Sequence, residues 1–251
     1  MITRVEGGLT YTQTFDAENR LISVTVSGQT TQFMYDGDGT LVKKINPDNS
    51  RTIYVGTVYE VDKSAAGSVT GTTTYYPAGG AMRVDSTLYY ILTDHLGSAT
   101  TTTDASGNIV SEQRYYPFGE TRLSTGSILT DKLYTGQREI TGLGIYHYQA
   151  RFYSPKLGRF IQPDTIVPGA SNPQNLNRYS YGLNNPVNNN DPSGHCSVSV
   201  SMGPFGQIEI NISSNPCPWN DHKTADIGLD VKRTEFHEYN GPDMPIRETP
   251  E

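Results

Sequence analysis

The chain has 251 residues and a formal net charge of −7, with 26 acidic and 19 basic side chains. Phosphate neutralisation needs clustered Lys and Arg, so this balance argues against a nucleic-acid partner. No apolar run approaches the roughly 18 residues of a membrane helix, so no membrane span is predicted.

Composition favours strands over helices throughout the chain. Tyr is present 17 times and Gly 25 times. Tyr, Thr and Val suit half-buried pleated surfaces, whereas Gly, Asn and Asp supply turns. No window of about 12 residues combines apolar side chains at the 3.6-residue period with helix caps. The sequence therefore predicts an all-β fold.

A turn motif recurs in the first half of the chain, in which Asp is followed three residues later by Gly or Asn. An Asp side chain can bond backbone two residues on, and Gly or Asn accepts the left-handed conformation of a hairpin turn. Each copy is then one hairpin, and stacked hairpins would bury a continuous apolar face. The turn residues are Asp16, Asp36 with Gly39, Asp94 with Gly97, and Asp104 with Gly107.

Two further features of this half bear on the prediction. Residues 62–71 are rich in Gly, Ser and Thr and are predicted to form a flexible loop. Asp36–Gly39 lacks the other ligands of a calcium loop, and the five histidines show no metal-ligand spacing. No metal site and no cofactor are predicted.

The second half carries more specific motifs. They are Tyr115-Tyr116-Pro117-Phe118-Gly119, Arg151-Phe152-Tyr153-Ser154-Pro155, Gly158-Arg159-Phe160 followed by Asp164, and Asp191-Pro192-Ser193-Gly194-His195. Together with the turn motif, residues 10–195 resemble the RHS/YD-repeat family and its terminal RHS-associated core. The resemblance implies a curved β-sheet, part of a shell, that spirals into a core or plug segment. It divides the chain into repeats at 1–115, a core segment at 116–195 and a variable tail at 196–251.

The same resemblance implies a candidate self-cleavage site, because some family members release a C-terminal cargo as aspartyl self-proteases. The candidate catalytic residues are Asp164, Asp191, Arg151 and Arg159, and the cleavage boundary is Gly194, His195 and Cys196. Ser154 stands where the family has the first Asp of the pair, and His195 where it has Leu. Since two carboxylates sharing a proton divide the acid and base work, we expect Ser154 to prevent cleavage. The alternative for both arginines is a structural ion pair with these aspartates.

The tail predicts a β-hairpin from alternating apolar residues at 196–202 and 207–213. Cys196 and Cys217 would form a disulfide in an oxidising compartment, or remain two thiols. Residues 234–251 are predicted to be disordered.

Three functions follow from the sequence: a structural encapsulating module, a self-protease that frees the tail, and a tail that is itself a small toxin. Carbohydrate binding by exposed Tyr and Trp rests on composition alone. The expected partners are upstream repeats, the chain's own tail as cargo, and an immunity or delivery protein. The chain opens without a signal peptide and in mid-repeat, so we expect the C-terminal part of a longer protein or a short separate gene. By resemblance we expect it outside the cell or at its surface.

Overall fold

A computed structural model describes residues 2–165, 176–195, 197–202 and 208–212. These residues form three antiparallel β-sheets joined by tight turns and single 3-10 turns. The predicted all-β class is confirmed. No helix within these ranges is long and apolar enough to cross a membrane.

The largest sheet, called the wall sheet, has 13 strands whose spatial order is their chain order. Every neighbouring pair is antiparallel, so each strand pairs with the strands directly before and after it in the chain. It extends past residue 115, where the sequence placed a boundary. Its strands are β1 Thr3–Glu6, β2 Leu9–Phe15, β3 Leu21–Val26, β4 Gln29–Tyr35, β5 Leu41–Ile45, β6 Arg51–Val55, β7 Tyr59–Lys63, β8 Val69–Tyr76, β9 Ala81–Val84, β10 Thr87–Thr93, β11 Ala99–Asp104, β12 Ile109–Tyr115 and β13 Thr121–Gly126.

The four predicted Asp turns share one geometry. One carboxylate oxygen of Asp36 accepts the backbone N–H groups of Asp38 at 3.0 Å and Thr40 at 2.8 Å. Gly39 has the expected positive φ, 83°, and Gly107 has φ 84°. The same pair of bonds joins Asp16 to Glu18 and Arg20, Asp94 to Leu96 and Ser98, and Asp104 to Ser106 and Asn108.

Three further turns have the same backbone form without an Asp at the first position. They begin at Asn46, Ser64 and Tyr116, and each closes with a bond from the N–H of its first residue to the C=O of its fifth. The turn at Ser64 joins β7 to β8 directly, so the prediction of a flexible loop over 62–71 is wrong. The left-handed fourth residue, Gly67 with φ 93°, is what allows so short a connection.

Two glycines of one turn provide a matched test of this geometry. Gly39→Val should destabilise the chain by about 1–2 kcal/mol or more, because a side chain is forced into the left-handed region. Gly37, in the same turn, has no positive φ and open space around a Cβ. Gly37→Val should therefore change stability by less than about 0.5 kcal/mol. Urea unfolding of both variants measures the difference, and equal effects would contradict the turn described.

The second sheet, called the inner sheet, has four strands: β14 Arg138–Ile140, β15 Ile145–Tyr148, β16 Arg151–Ser154 and β17 Arg159–Phe160. Both of its faces are buried. On one face, Ile145 and Phe152 pack with Leu21, Phe33 and other side chains of β2–β6. The rings of Phe33 and Phe152 have centroids 5.0 Å apart.

The opposite face of the inner sheet carries the aromatic residues Tyr146, Tyr148 and Tyr153. They pack with Ala99 on β11 and, at its margin, Tyr115 on β12. The first and second halves of the wall sheet thus cover opposite faces of the inner sheet. The wall must curve around the inner sheet, as the predicted shell-and-plug arrangement requires.

The third sheet consists of β18 Asn189–Asn190, β19 Val198–Met202 and β20 Ile208–Ile212. The β19–β20 pair confirms the hairpin predicted from alternation in the tail, with Val198 opposite Ile212. Cys196, Cys217 and the predicted disordered stretch 234–251 lie outside the described residues.

Candidate functional site at the core–tail boundary

Arg151 is the centre of a buried cluster at the predicted core–tail boundary. Its side chain is only 5% exposed, and Nη2 lies 2.8 Å from an oxygen of Asp164 and 3.3 Å from one of Asp191. Its Nε donates to the carbonyl oxygen of Gly194. The guanidinium also lies 3.7 Å from the ring centroid of Phe160. One cation therefore holds both candidate aspartates and the boundary backbone.

Asp191 shapes the turn that ends in the boundary. Its Oδ1 accepts the backbone N–H groups of Gly194 at 2.8 Å and His195 at 3.0 Å. Gly194 has φ 78°, and a Cβ there would lie 2.2 Å from the carbonyl oxygen of Tyr148. Only Gly satisfies both the conformation and the space.

Asp164 completes the cluster from a segment after β17. One of its oxygens pairs with Arg151, and the other lies 2.8 Å from Nδ1 of His195. Its backbone N–H donates to the carbonyl of Arg178 at 2.8 Å, and Nε of Arg178 donates to its carbonyl at 2.6 Å. The backbone around Asp164 is thus fixed on both sides.

The peptide between Gly194 and His195 is held at both of its polar ends. Arg151 donates to its carbonyl oxygen, and Asp191 accepts its N–H. Burial lowers the pKa of Arg151, while Asp164 and Asp191 oppose that shift. In chemical terms, Arg151 is placed to polarise the carbonyl, and a carboxylate lies near enough to bind a water. The same contacts also have a structural effect, because they fix the end of the core segment to the inner sheet.

Ser154 takes no part in this cluster. Successive side chains of a strand point to opposite faces, so Ser154 and Phe152 face away from Arg151 and Tyr153. The Ser154 hydroxyl donates to a carboxylate oxygen of Glu6 at 2.5 Å, on the side of the first wall strand. The two carboxylates that the fold brings together are Asp164 and Asp191. The expectation that Ser154 prevents cleavage stays a prediction.

The other candidate residues divide between the cluster and the surface. Gly194 and His195 belong to it, whereas Arg159 is exposed on β17. The described residues contain no group of three or more His, Cys, Asp or Glu side chains placed to hold a metal. Sequence reasoning missed two contributors to this cluster. Arg178 acts through its backbone carbonyl and its side-chain Nε, and Tyr148 lies against Gly194 through its backbone carbonyl; no motif in the sequence marks either residue.

The architecture defines a class of protein in which a β-sheet wall wraps around an inner sheet. In this chain, hydrogen bonds to Arg151 and Asp191 hold the peptide between Gly194 and His195, just before the tail. Comparison with known proteins agrees. The family model described as Teneurin YD-shell matches residues 75–187. This match supports membership of the RHS/YD-repeat shell family.

The relatives are much longer proteins. A tRNA3(Ser)-specific nuclease, WapA, from Bacillus spizizenii is 30% identical over 198 residues, covering 74% of this chain and 8% of the nuclease. Toxin subunit YenC2 of Yersinia entomophaga is 26% identical over 152 residues, covering 58% of this chain and 13% of the subunit. This chain thus spans about a tenth of the length of such relatives.

A solved structure shows the same fold. The Tc holotoxin pore of Photorhabdus luminescens carrying the TccC3-D651A mutation aligns with a TM-score of 0.64 at 24% identity. The alignment covers 77% of this chain and 10% of that one. The predicted shell architecture is therefore confirmed at the level of fold.

Proposed function

We propose that this chain is the closing part of an encapsulating shell, with residues 196–251 as the cargo side of the boundary. The observation that carries the proposal is the Arg151 cluster, which fixes the peptide between Gly194 and His195 to the inner sheet. A boundary fixed in this way holds the start of the tail against the plug. The role is structural, and it requires no turnover.

Upstream repeats are the first proposed partner. The wall sheet ends at β1 on one side and β13 on the other, and no further strand of the described residues pairs with either. Additional hairpins can extend such an edge through main-chain hydrogen bonds. An immunity or delivery protein is the second proposed partner, and we propose that the chain acts outside the cell or at its surface. Relatives that are toxin subunits, and one named Salivary gland surface protein 1 in Aedes aegypti, support that location.

Self-cleavage is the second candidate function, and one specific observation favours it. The peptide between Gly194 and His195 has its carbonyl oxygen on Arg151 and its N–H on Asp191, with Asp164 on the same guanidinium. Water added to this carbonyl would release a fragment beginning at His195. Two carboxylates near one peptide bond are the groups that such chemistry uses.

The intact mass of freshly expressed protein separates the two functions. If the boundary has only a structural role, the expressed protein should be one species of 27.6 kDa. Self-cleavage predicts a fragment that begins at or next to His195, and its loss in Asp164→Asn and Asp191→Asn. Asp38→Asn, at an exposed aspartate in a turn of the wall sheet, serves as the control and should leave the outcome unchanged.

A further inference from the structure

We propose that His147 is an acid-responsive release group, which loosens the inner sheet from the wall sheet when the surroundings become acidic. His147 lies on β15, on the face of the inner sheet that packs against β2–β6. It is 9% exposed. The role concerns the contact between the two sheets and is separate from the boundary cluster.

The contacts of His147 are suited to a neutral ring and not to a cation. Its ring centroid lies 4.8 Å from that of Phe152, which in turn stacks on Phe33 of the wall. Its Nε2 is buried and has no hydrogen-bond partner among the described residues. A neutral ring can leave that nitrogen as an unprotonated acceptor, whereas an imidazolium would have to bury an unmatched N–H.

The neighbouring charge has the same sign as a protonated histidine. His147 is directly opposite Arg138 in the β14–β15 register. Burial, with Arg138 as the second cause, lowers the pKa of His147 to about 3. Protonation in the closed state would therefore bury a cation beside Arg138, and it becomes favourable once the inner sheet has moved away from the wall sheet.

Arg138 itself joins the two sheets. Its Nη1 lies 2.6 Å from an oxygen of Glu60 on β7 and 2.5 Å from one of Asp131, and its guanidinium lies 4.1 Å from the ring centroid of Tyr54. Opening the inner sheet to expose His147 would also separate this ion pair. The charged groups on the elements packed around this position are Arg138 on β14, Glu60 on β7, Arg4 and Glu6 on β1, and Asp131 and Lys132 before β14.

The direction of the pH effect follows from linkage. A histidine whose folded pKa is depressed destabilises the closed state as pH falls below its ordinary value of about 6.5. Burial raises the pKa of Glu60, and that group acts in the opposite direction, favouring the closed state as pH falls. Both groups affect the pH dependence of sheet opening in the wild type. The contribution of His147 is therefore the difference in that pH dependence between the wild type and a variant whose aromatic ring at position 147 has no nitrogens.

His147→Phe tests the proposal, since it keeps an aromatic ring of similar size and cannot be protonated. Hydrogen exchange of the inner-sheet amides would be measured on the full chain at pH 7.5 and pH 5 and corrected for intrinsic exchange. The opening equilibrium of the wild type, relative to His147→Phe, should rise about 30-fold over this range, the factor for an ordinary pKa of about 6.5. His95→Phe, at an exposed histidine, should follow the wild type.

Equal pH dependence in the wild type and His147→Phe would overturn the proposal. If the Phe variant does not fold, NMR titration of the wild-type histidines gives a second measurement. The proposal requires that the His147 ring remain neutral in the closed state at pH 5. Titration of that ring near pH 6.5 in the closed protein, without increased exchange, would also overturn it.

Discussion

Gly194→Ala should destabilise the chain by roughly 2–5 kcal/mol. A left-handed residue with a Cβ costs about 1–2 kcal/mol, and an overpacked contact adds about 1–3 kcal/mol. The added atom would lie 2.2 Å from the carbonyl oxygen of Tyr148, which cannot rotate away because it is backbone. The turn or the end of β15 would have to move, and the contact of Arg151 with Gly194 would move with it.

Gly142 provides the control for the Gly194 prediction. It has φ 80°, and a Cβ there would have nothing within 4 Å. Gly142→Ala should therefore show only the backbone strain of about 1–2 kcal/mol. Chemical unfolding of the two variants compares them directly. An equal loss of stability would mean that the close approach between Gly194 and Tyr148 does not exist in solution.

Arg151→Met should destabilise the chain by about 3–5 kcal/mol, because it leaves Asp164 and Asp191 buried without their shared cation. Both carboxylates have side chains less than 10% exposed. Arg151→Lys should recover only part of the loss, since one ammonium cannot reproduce the planar set of donors that contacts two carboxylates and the carbonyl oxygens of Gly194 and Arg178. Thermal or urea unfolding measures both variants.

Arg114→Met is the matched comparison for Arg151→Met. Arg114 pairs with Glu112, but the two side chains are 40% and 36% exposed. Water screens such a pair, so the effect should stay within roughly 1 kcal/mol. If Arg151→Met lost as little stability as Arg114→Met, the Arg151 cluster would not be what holds the boundary.

The wall sheet was largely predictable from the sequence, because its signals are local. An Asp with Gly or Asn three residues later specifies a turn through its own side chain and its own φ angle, as at Asp36 and Gly39. The turns at Asn46, Ser64 and Tyr116 were missed because none of them begins with the Asp that marks the other four. In the Asn46 turn other side chains make the bonds, since Asp48 accepts the backbone N–H of Ser50 and Asn46 donates to the Ser50 hydroxyl.

The candidate site was only partly predictable. The sequence identified Arg151, Asp164 and Asp191 but assigned Ser154 to the same site. The face on which Ser154 lies depends on the alternation of side chains along β16. That alternation places Ser154 against Glu6 on the first wall strand, 148 residues away in the chain. Contacts over such a separation depend on how the wall curves around the inner sheet, and no local pattern encodes that curvature.

The chain-order arrangement of the wall sheet has a consequence for how such proteins change in length. Each strand pairs only with its immediate neighbours in sequence, so the stability of the wall is close to a sum over adjacent hairpins. A duplication or deletion of one whole hairpin leaves every other register intact. The inner sheet has no such freedom, because its two faces must fit two separate stretches of wall at once. The wall sheet can therefore be lengthened or shortened by whole hairpins at its edges, whereas a change in the inner sheet would disturb both stretches of wall that cover it.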